Sequence, residues 1–378
     1  MKLFGTLSLA TLMALCFHPN DSRAQTFSVV RSFGIATNVT GFTPQAPLVQ
    51  GPDGTLYGTT VSAEGHAFGT VFKIQPDGTG LTALKVFTNA VDGYSPSGAL
   101  LLNGTTLYGT TRTGGSAAFG NVFKINTDGS GFTVIKAFAT GGLEGLGPVG
   151  GLVLSGSTLY GATANGGSTG SGTVFSVNTD GTGFTVLKNF GSIANDGSSP
   201  QGGLVLSGST LYGTTQGGGT LFDGTIFKIN TDGSSYSILK NFTGTASDGR
   251  TPLAGLLLSG STLYGTTYFG GANNVGVVFS VATSGSGFQV IKSFAGGTDA
   301  AKPQSALVVG GTTLYGTTTY GGLAGNSGTV FALSTDGNTY KLLKSFWLRS
   351  HRWRRAVRRP GFERDHPIWN HCPGRRGG

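Results

Sequence analysis

Leu211-Tyr212-Gly213-Thr214-Thr215 decides the fold, because the chain writes this string, with small variations, six times. Its tyrosines fall at Tyr57, Tyr108, Tyr160, Tyr212, Tyr264 and Tyr315, spaced 51, 52, 52, 52 and 51 residues apart. A self-similar period of that size marks a repeat architecture. Upstream of the fourth copy stands Gly202-Gly203-Leu204-Val205-Leu206. Downstream come Gly224-Thr225-Ile226-Phe227-Lys228-Ile229, the pair Asp232-Gly233, and Tyr236-Ser237-Ile238-Leu239-Lys240-Asn241-Phe242. The other repeats follow the same order.

Each period holds four short runs rich in valine, threonine, tyrosine and phenylalanine, parted by glycine, aspartate, asparagine and serine. Val122-Phe123-Lys124-Ile125 shows the alternation of a strand, and no segment has helical periodicity. Asp-Gly between the third and fourth runs signals a hairpin, since that turn needs positive φ. Four antiparallel strands in about 50 residues, repeated radially, describe an all-β fold, a β-propeller of four-stranded blades. A β-solenoid is the rival, but its coils are usually shorter and lack two hairpins per unit. The first strand, with Gly150-Gly151 and Gly202-Gly203, belongs nearest the axis, where backbones crowd. The fourth is then the outer edge. Its lysines (Lys85, Lys136, Lys188, Lys240, Lys292 and Lys344) are expected to be edge charges that discourage sheet-to-sheet pairing.

The two ends depart from this body. Residues 1–24 read as a secretory signal, with Lys2 ahead of an apolar stretch over 3–17 and Ser22-Arg23-Ala24 as the cleavage site. Cys16 leaves a lipoprotein signal as the alternative. An exported protein is expected, in the periplasm, at the cell surface or outside the cell. Residues 347–378 hold all three tryptophans and nine of the 25 Lys+Arg residues, and nothing there follows the repeat. Between the ends, residues 25–346 carry 14 basic and 13 acidic side chains, a net of +1. The formal +9 therefore belongs to the ends, and a nucleic-acid-binding body is not supported. Both cysteines lie in the ends, and no run beyond the signal is long and apolar enough for a membrane helix.

Residues 26–33 match residues 339–346 of the last fourth strand, with Arg31 at the lysine position. The mature chain thus opens on a lone fourth strand that would close a ring. Back-translated and read from the second base of each codon, residues 358–372 permit Gly-Gly-Leu-Val-Leu-Ser-Gly-Thr-Thr-Leu-Tyr-Gly-Thr-Thr-Ala, almost residues 202–216. The tail is expected to be a disordered, frameshifted seventh repeat. That leaves six intact blades plus an N-terminal closing strand, from a seven-bladed parent.

The strings above, with Asp128-Gly129 and Asp196-Gly197-Ser198-Ser199-Pro200, make the chain similar to the GloVer tandem repeats of bacterial surface proteins. The resemblance spans residues 26–346. It implies an exported protein, often tethered by a C-terminal anchor, and no established catalytic residue.

Candidate sites are few. Asp77, Asp128, Asp180, Asp232 and Asp336 recur in Asp-Gly, which a turn explains better than a calcium site. Asp92, Asp196, Asp248 and Asp299 precede prolines on the blade-to-blade connections and suit Asx-type turns. His66 is the only histidine in the body, so neither a triad nor a histidine metal cluster can form around it. Glu64 and Asp223 are non-periodic acids that would need to cluster with Asp92 to support hydrolysis. The loops between second and third strands vary most. There Arg112, Gln216, Tyr268, Phe269 and Tyr320 offer aromatic and amide contacts for a glycan or peptide, while Phe68, Phe119 and Phe222 are expected to pack blade on blade. The expectation is a monomeric, non-enzymatic scaffold that presents its loop face to a protein or glycan, with no metal and no cofactor. A glycan-binding module is the second reading and a propeller hydrolase or lyase the third.

Overall fold

Each repeat folds into one antiparallel sheet. The computed structural model describes residues 11–12, 31–32, 41, 43–63, 68–88, 90–139, 142–323 and 326–346. Six four-stranded antiparallel blades follow one another as a six-bladed β-propeller, and no helix occurs among the described residues. Blade four is representative. Its strands Val205–Ser207, Thr210–Thr215, Thr225–Asn230 and Ser237–Asn241 pair in chain order. The recurring pentapeptide lies in the second strand every time, and the six strands that carry it begin at Leu56, Thr106, Thr158, Thr210, Thr262 and Thr313.

A strand has two faces, and in a propeller each looks at a different neighbour. Leu211, Phe227 and Ile229 pack back against Tyr160 and Val174 of blade three. Tyr212 and Ile226 pack forward against Leu256, Leu263 and Phe279 of blade five. Both faces are buried, so the second strand is apolar or small throughout rather than alternating with charge. Gly213 is part of the same logic. It pairs with Phe227, and a Cβ there would stand 2.6 Å from the phenylalanine Cζ. The same phenylalanine-on-glycine contact recurs at Gly58, Gly109, Gly161, Gly265 and Gly316. The last threonine bonds across to the next strand, Thr215 Oγ1 to Thr225 Oγ1 at 2.8 Å, which satisfies two buried hydroxyls together.

The fourth-strand lysines overturn the expectation of solvated edge charges. Lys188 Nζ lies 2.7 Å from Asp196 Oδ2, with the two side chains only 9% and 1% exposed. It also stands 4.1 Å from the ring centre of Tyr236 in the next blade, whose hydroxyl donates to Asp196. Equivalent clamps join Lys85 to Asp92 and Phe132, Lys136 to Glu144 and Phe184, Lys240 to Asp248 and Phe288, and Lys292 to Asp299 and Tyr340. The ammonium is held between a carboxylate and an aromatic face, which compensates its removal from water. Removing one partner of so buried a pair costs on the order of 3–5 kcal/mol. The aspartates before the prolines are therefore ion-pair partners as well as turn formers, which corrects the simpler turn reading: Asp196 Oδ1 takes the Gly197 amide while Oδ2 takes the Ser192 amide. Protection of the outer edge falls instead to a β-bulge, which shifts the register between third and fourth strands in all six blades.

The Asp-Gly hairpins are as read. Asp180 Oδ1 accepts from the Thr182 amide at 2.9 Å and from its hydroxyl at 2.7 Å, and Gly181 takes φ 93°. Those amide and hydroxyl bonds hold the exposed carboxyl below its ordinary pKa, as equivalent bonds do for Asp77, Asp128, Asp232 and Asp336. Of the N-terminal strand expected over residues 26–33, Arg31 and Ser32 are described and pair with Leu12 and Thr11. The rest of that segment and the tail after residue 346 lie outside the described residues.

Candidate functional site

Two places on the ring depart from pure scaffold. One is the axis. The first strands converge there so closely that a Cβ on Gly202 would meet the Ala254 carbonyl at 2.5 Å, and one on Gly203 the Gly151 amide at 2.9 Å. Just above this constriction a cavity of about 690 Å³ is lined by all six blades. The residue after each connecting proline faces it: Gln45, Ser97, Val149, Gln201, Leu253 and Gln304. Among the described residues of the lining, Arg112 is the one with an ionisable side chain. An amide-rich ring with a single cation can hold polar or anionic groups by hydrogen bonds, and its described lining places no carboxylate pair or histidine where acid–base chemistry would need one.

The other place is the rim between blades five and six, on the face that carries the second-to-third-strand loops and the blade-to-blade connections. Tyr268 and Phe269 stand nearly perpendicular, 88° apart, with ring centres at 4.7 Å. Lys302 reaches across from the connection into blade six. Its Nζ lies 5.2 Å from the Tyr268 ring centre, 5.1 Å from that of Phe269 and 5.1 Å from that of Tyr320. Arg250 pairs in register with Phe269 and sets its guanidinium 5.1 Å from the same ring. Neither cation meets a carboxylate within ion-pair distance among the described residues, and the buried Arg250 Nε has no hydrogen-bond partner. Asp223 flanks the Arg250 stem, both lying close to where a Gly244 Cβ would stand.

Three of the five residues expected from sequence, Tyr268, Phe269 and Tyr320, thus come together around one lysine. Arg112 belongs to the axial cavity instead. Gln216 sits half-buried in blade four, where its backbone N–H donates to the Ser199 carbonyl at 3.0 Å. Among the phenylalanines expected between blades, Phe119 packs there, Phe68 stacks on Tyr94 at 4.0 Å, and Phe222 projects into solvent with 82% of its surface exposed. That last placement corrects the packing expectation: Phe222 has φ 61° at the loop tip, which turns its side chain away from the neighbouring blade. Glu64 and His66 lie outside the described residues. Asp92 is committed to Lys85 and Asp223 sits on blade four, so these two acids do not meet. No three histidine, cysteine, aspartate or glutamate side chains converge as a metal site among the described residues.

Sequence reasoning missed Lys302, Arg250 and the axial ring. A signal for the lysine exists: aligned on the connecting proline, its place is held by Thr43, Ser95, Gly147, Ser199 and Thr251 in the other repeats. Every described one of these residues has positive φ, Lys302 at 58°. A long side chain there is a costly choice, since non-glycine residues in that region carry strain.

The chain resembles several solved propellers at low identity. It is 17% identical to a candidate 6-phosphogluconolactonase from Bacteroides uniformis, over 79% of this chain and 84% of that one, with a TM-score of 0.51. A GH74 enzyme from Niastella koreensis is also 17% identical, with 79% of this chain and 46% of that one covered and a TM-score of 0.50. These likenesses concern the fold alone. No curated protein matches the chain. A model of the Gloeobacter/Verrucomicrobia repeat matches residues 17–221 and 192–356, which together span the whole of the repeated body, and the chain belongs to that family.

Proposed function

We propose that this protein is an exported, non-catalytic propeller that presents its loop face to a partner as a component of the cell surface or of an extracellular matrix. One observation carries the reading: the irregularities of an otherwise regular ring gather on one side. Apart from Val308, the exposed large hydrophobic residues among those described all lie on one side: Phe68, Val91, Leu143, Ile193, Leu221, Phe222 and Leu323 on second-to-third-strand loops or on connections that leave the fourth strand, and Tyr320 at the loop end of the strand Thr313–Gly321. The opposite face carries repeated Asp-Gly and Ser-Gly turns whose polar groups are used within the turn. Apolar side chains grouped on one face mark an interaction surface, and loops on a rigid scaffold commonly carry binding function. The export half of the reading rests on Lys2, the apolar stretch after it and Ser22-Arg23-Ala24. No helix among the described residues is long and apolar enough to cross a membrane.

The test is binding of the full chain to a glycan array and to purified envelope of the producing organism, beside two double variants. Phe222→Ser with Leu323→Ser alters the loop face, and Ser209→Lys with Ser261→Lys alters the opposite one. Binding should fall with the first variant and persist with the second. The reverse pattern puts the partner on the other side and overturns the reading.

A further inference from the structure

We infer that the cluster of Arg250, Lys302, Tyr268, Phe269 and Tyr320 binds a uronate-bearing oligosaccharide, an inference that rests on the loop-face reading above and names the chemistry recognised there. Five side chains that the repeat does not require converge at a single junction. The places of Tyr268 and Phe269 are held by Gln216 and Gly217 in blade four and by Ala164 and Asn165 in blade three. Arg250 stands where every other repeat has an uncharged residue, and Lys302 where the others have serine, threonine or glycine. Blade stability does not call for any of these, because the other junctions form without them.

Two features of the cluster are unfavourable in themselves. Lys302 holds a long side chain on positive-φ backbone. Arg250 keeps a buried, unpartnered Nε–H. Strain and unsatisfied buried donors gather at functional sites. The charge is also unbalanced. Two cations lie within 5.1 Å of the Phe269 ring centre, and the nearby Asp223 offsets at most one of them. The surplus is about that of one carboxylate.

Aromatic faces beside that cation select the rest of the ligand. Tyr320 is 39% exposed and Tyr268 is half-buried, so their rings can take the apolar C–H face of a pyranose while their hydroxyls exchange hydrogen bonds with its hydroxyls. A pyranose bearing a carboxylate satisfies both halves, stacking on the rings and placing its anion on Lys302 and Arg250. Single-stranded nucleic acid also combines stacking with negative charge, but it needs a groove of cations along its backbone. The cluster supplies two cations, Lys302 and Arg250, in a body whose net charge is only +1.

The test is calorimetric titration of the full chain with tetragalacturonate, its carboxyl-reduced counterpart and a short oligothymidylate. Two variants restore residues that other repeats already carry, Lys302→Ser as at Ser199 and Tyr268→Gln as at Gln216, so the fold tolerates both; thermal melting checks this. The uronate should bind one per chain, more weakly as salt rises, and at least about tenfold more weakly in either variant. Equal affinity for the reduced sugar, tighter binding of the oligothymidylate, or uronate binding unchanged by both variants overturns the inference. Absent uronate binding in a chain that still binds array or envelope through Phe222 and Leu323 sinks this inference alone. If the loop-face variant also leaves array and envelope binding intact, the broader reading falls with it.

Discussion

At the scale of single residues, the chain spends its charge between blades. Asp299 shows how. Burial works against its carboxylate, but the Tyr340 hydroxyl, the Ala295 and Ala300 amides and Lys292 outweigh it, and the group is held below its ordinary pKa. A depressed folded-state pKa gives stability that is whole above about pH 4, the unfolded value, and is lost as pH falls through the folded one. Asp299→Asn should therefore melt below the parent at neutral pH, and the gap should narrow as acid is added toward about pH 3. Melting curves across that range check the sign, and a gap that stays constant with pH would count against the ion pair as its source. Tyr340 completes the arrangement. Burial, then its bond to Asp299, raises its phenol pKa, so it remains a donor wherever the carboxylate is charged.

At the scale of the element, the second strand is a compromise between two neighbours. Gly213 has no room for a methyl group, with Phe227 Cζ at 2.6 Å and Leu204 Cδ2 at 2.9 Å from the Cβ position. Gly213→Ala should cost about 1–3 kcal/mol by overpacking. The double variant with Phe227→Leu should recover part of that loss, since the two residues touch and their effects will not add. Urea unfolding of the four chains measures the coupling, and strict additivity would show that the glycine answers to something else. This strand was legible from sequence because its period and its tyrosine are written six times. The lysine clamp was harder to see. Edge position suggested solvent, although the acid recurs seven or eight residues after each of Lys85, Lys136, Lys188, Lys240 and Lys292, and that fixed spacing was the available clue. The aromatic half of the rim cluster could be read from its loops. Its cationic half was missed although Lys302 breaks the repeat pattern, because a charged residue on a connection gains its meaning only from neighbours 18, 33 and 34 positions away for Lys302 and 19 for Arg250.

At the scale of the molecule, the described junctions are near copies of one another. Phe87, Phe138, Phe190, Phe242 and Phe294 each directly follow a fourth strand and pack, fully buried, against a phenylalanine of the following blade. Phe190→Ala and Phe242→Ala should then destabilise alike, by about 3–5 kcal/mol each. In a ring whose blades share faces on both sides, hydrogen exchange should speed up in the central strands of all six blades, not only in the two beside the lost ring. Acceleration confined to those two would mean that the blades open one at a time.

The clamp of lysine, acid and aromatic ring also has a genetic consequence. Each blade's four strands come from one uninterrupted stretch, and each clamp joins a stretch to the next by the same three kinds of side chain. A gene that duplicates or loses one such unit by unequal recombination still delivers matching halves to every new boundary. Copy number can then drift while each surviving junction keeps its chemistry, and what changes is the circumference that the last blade must close.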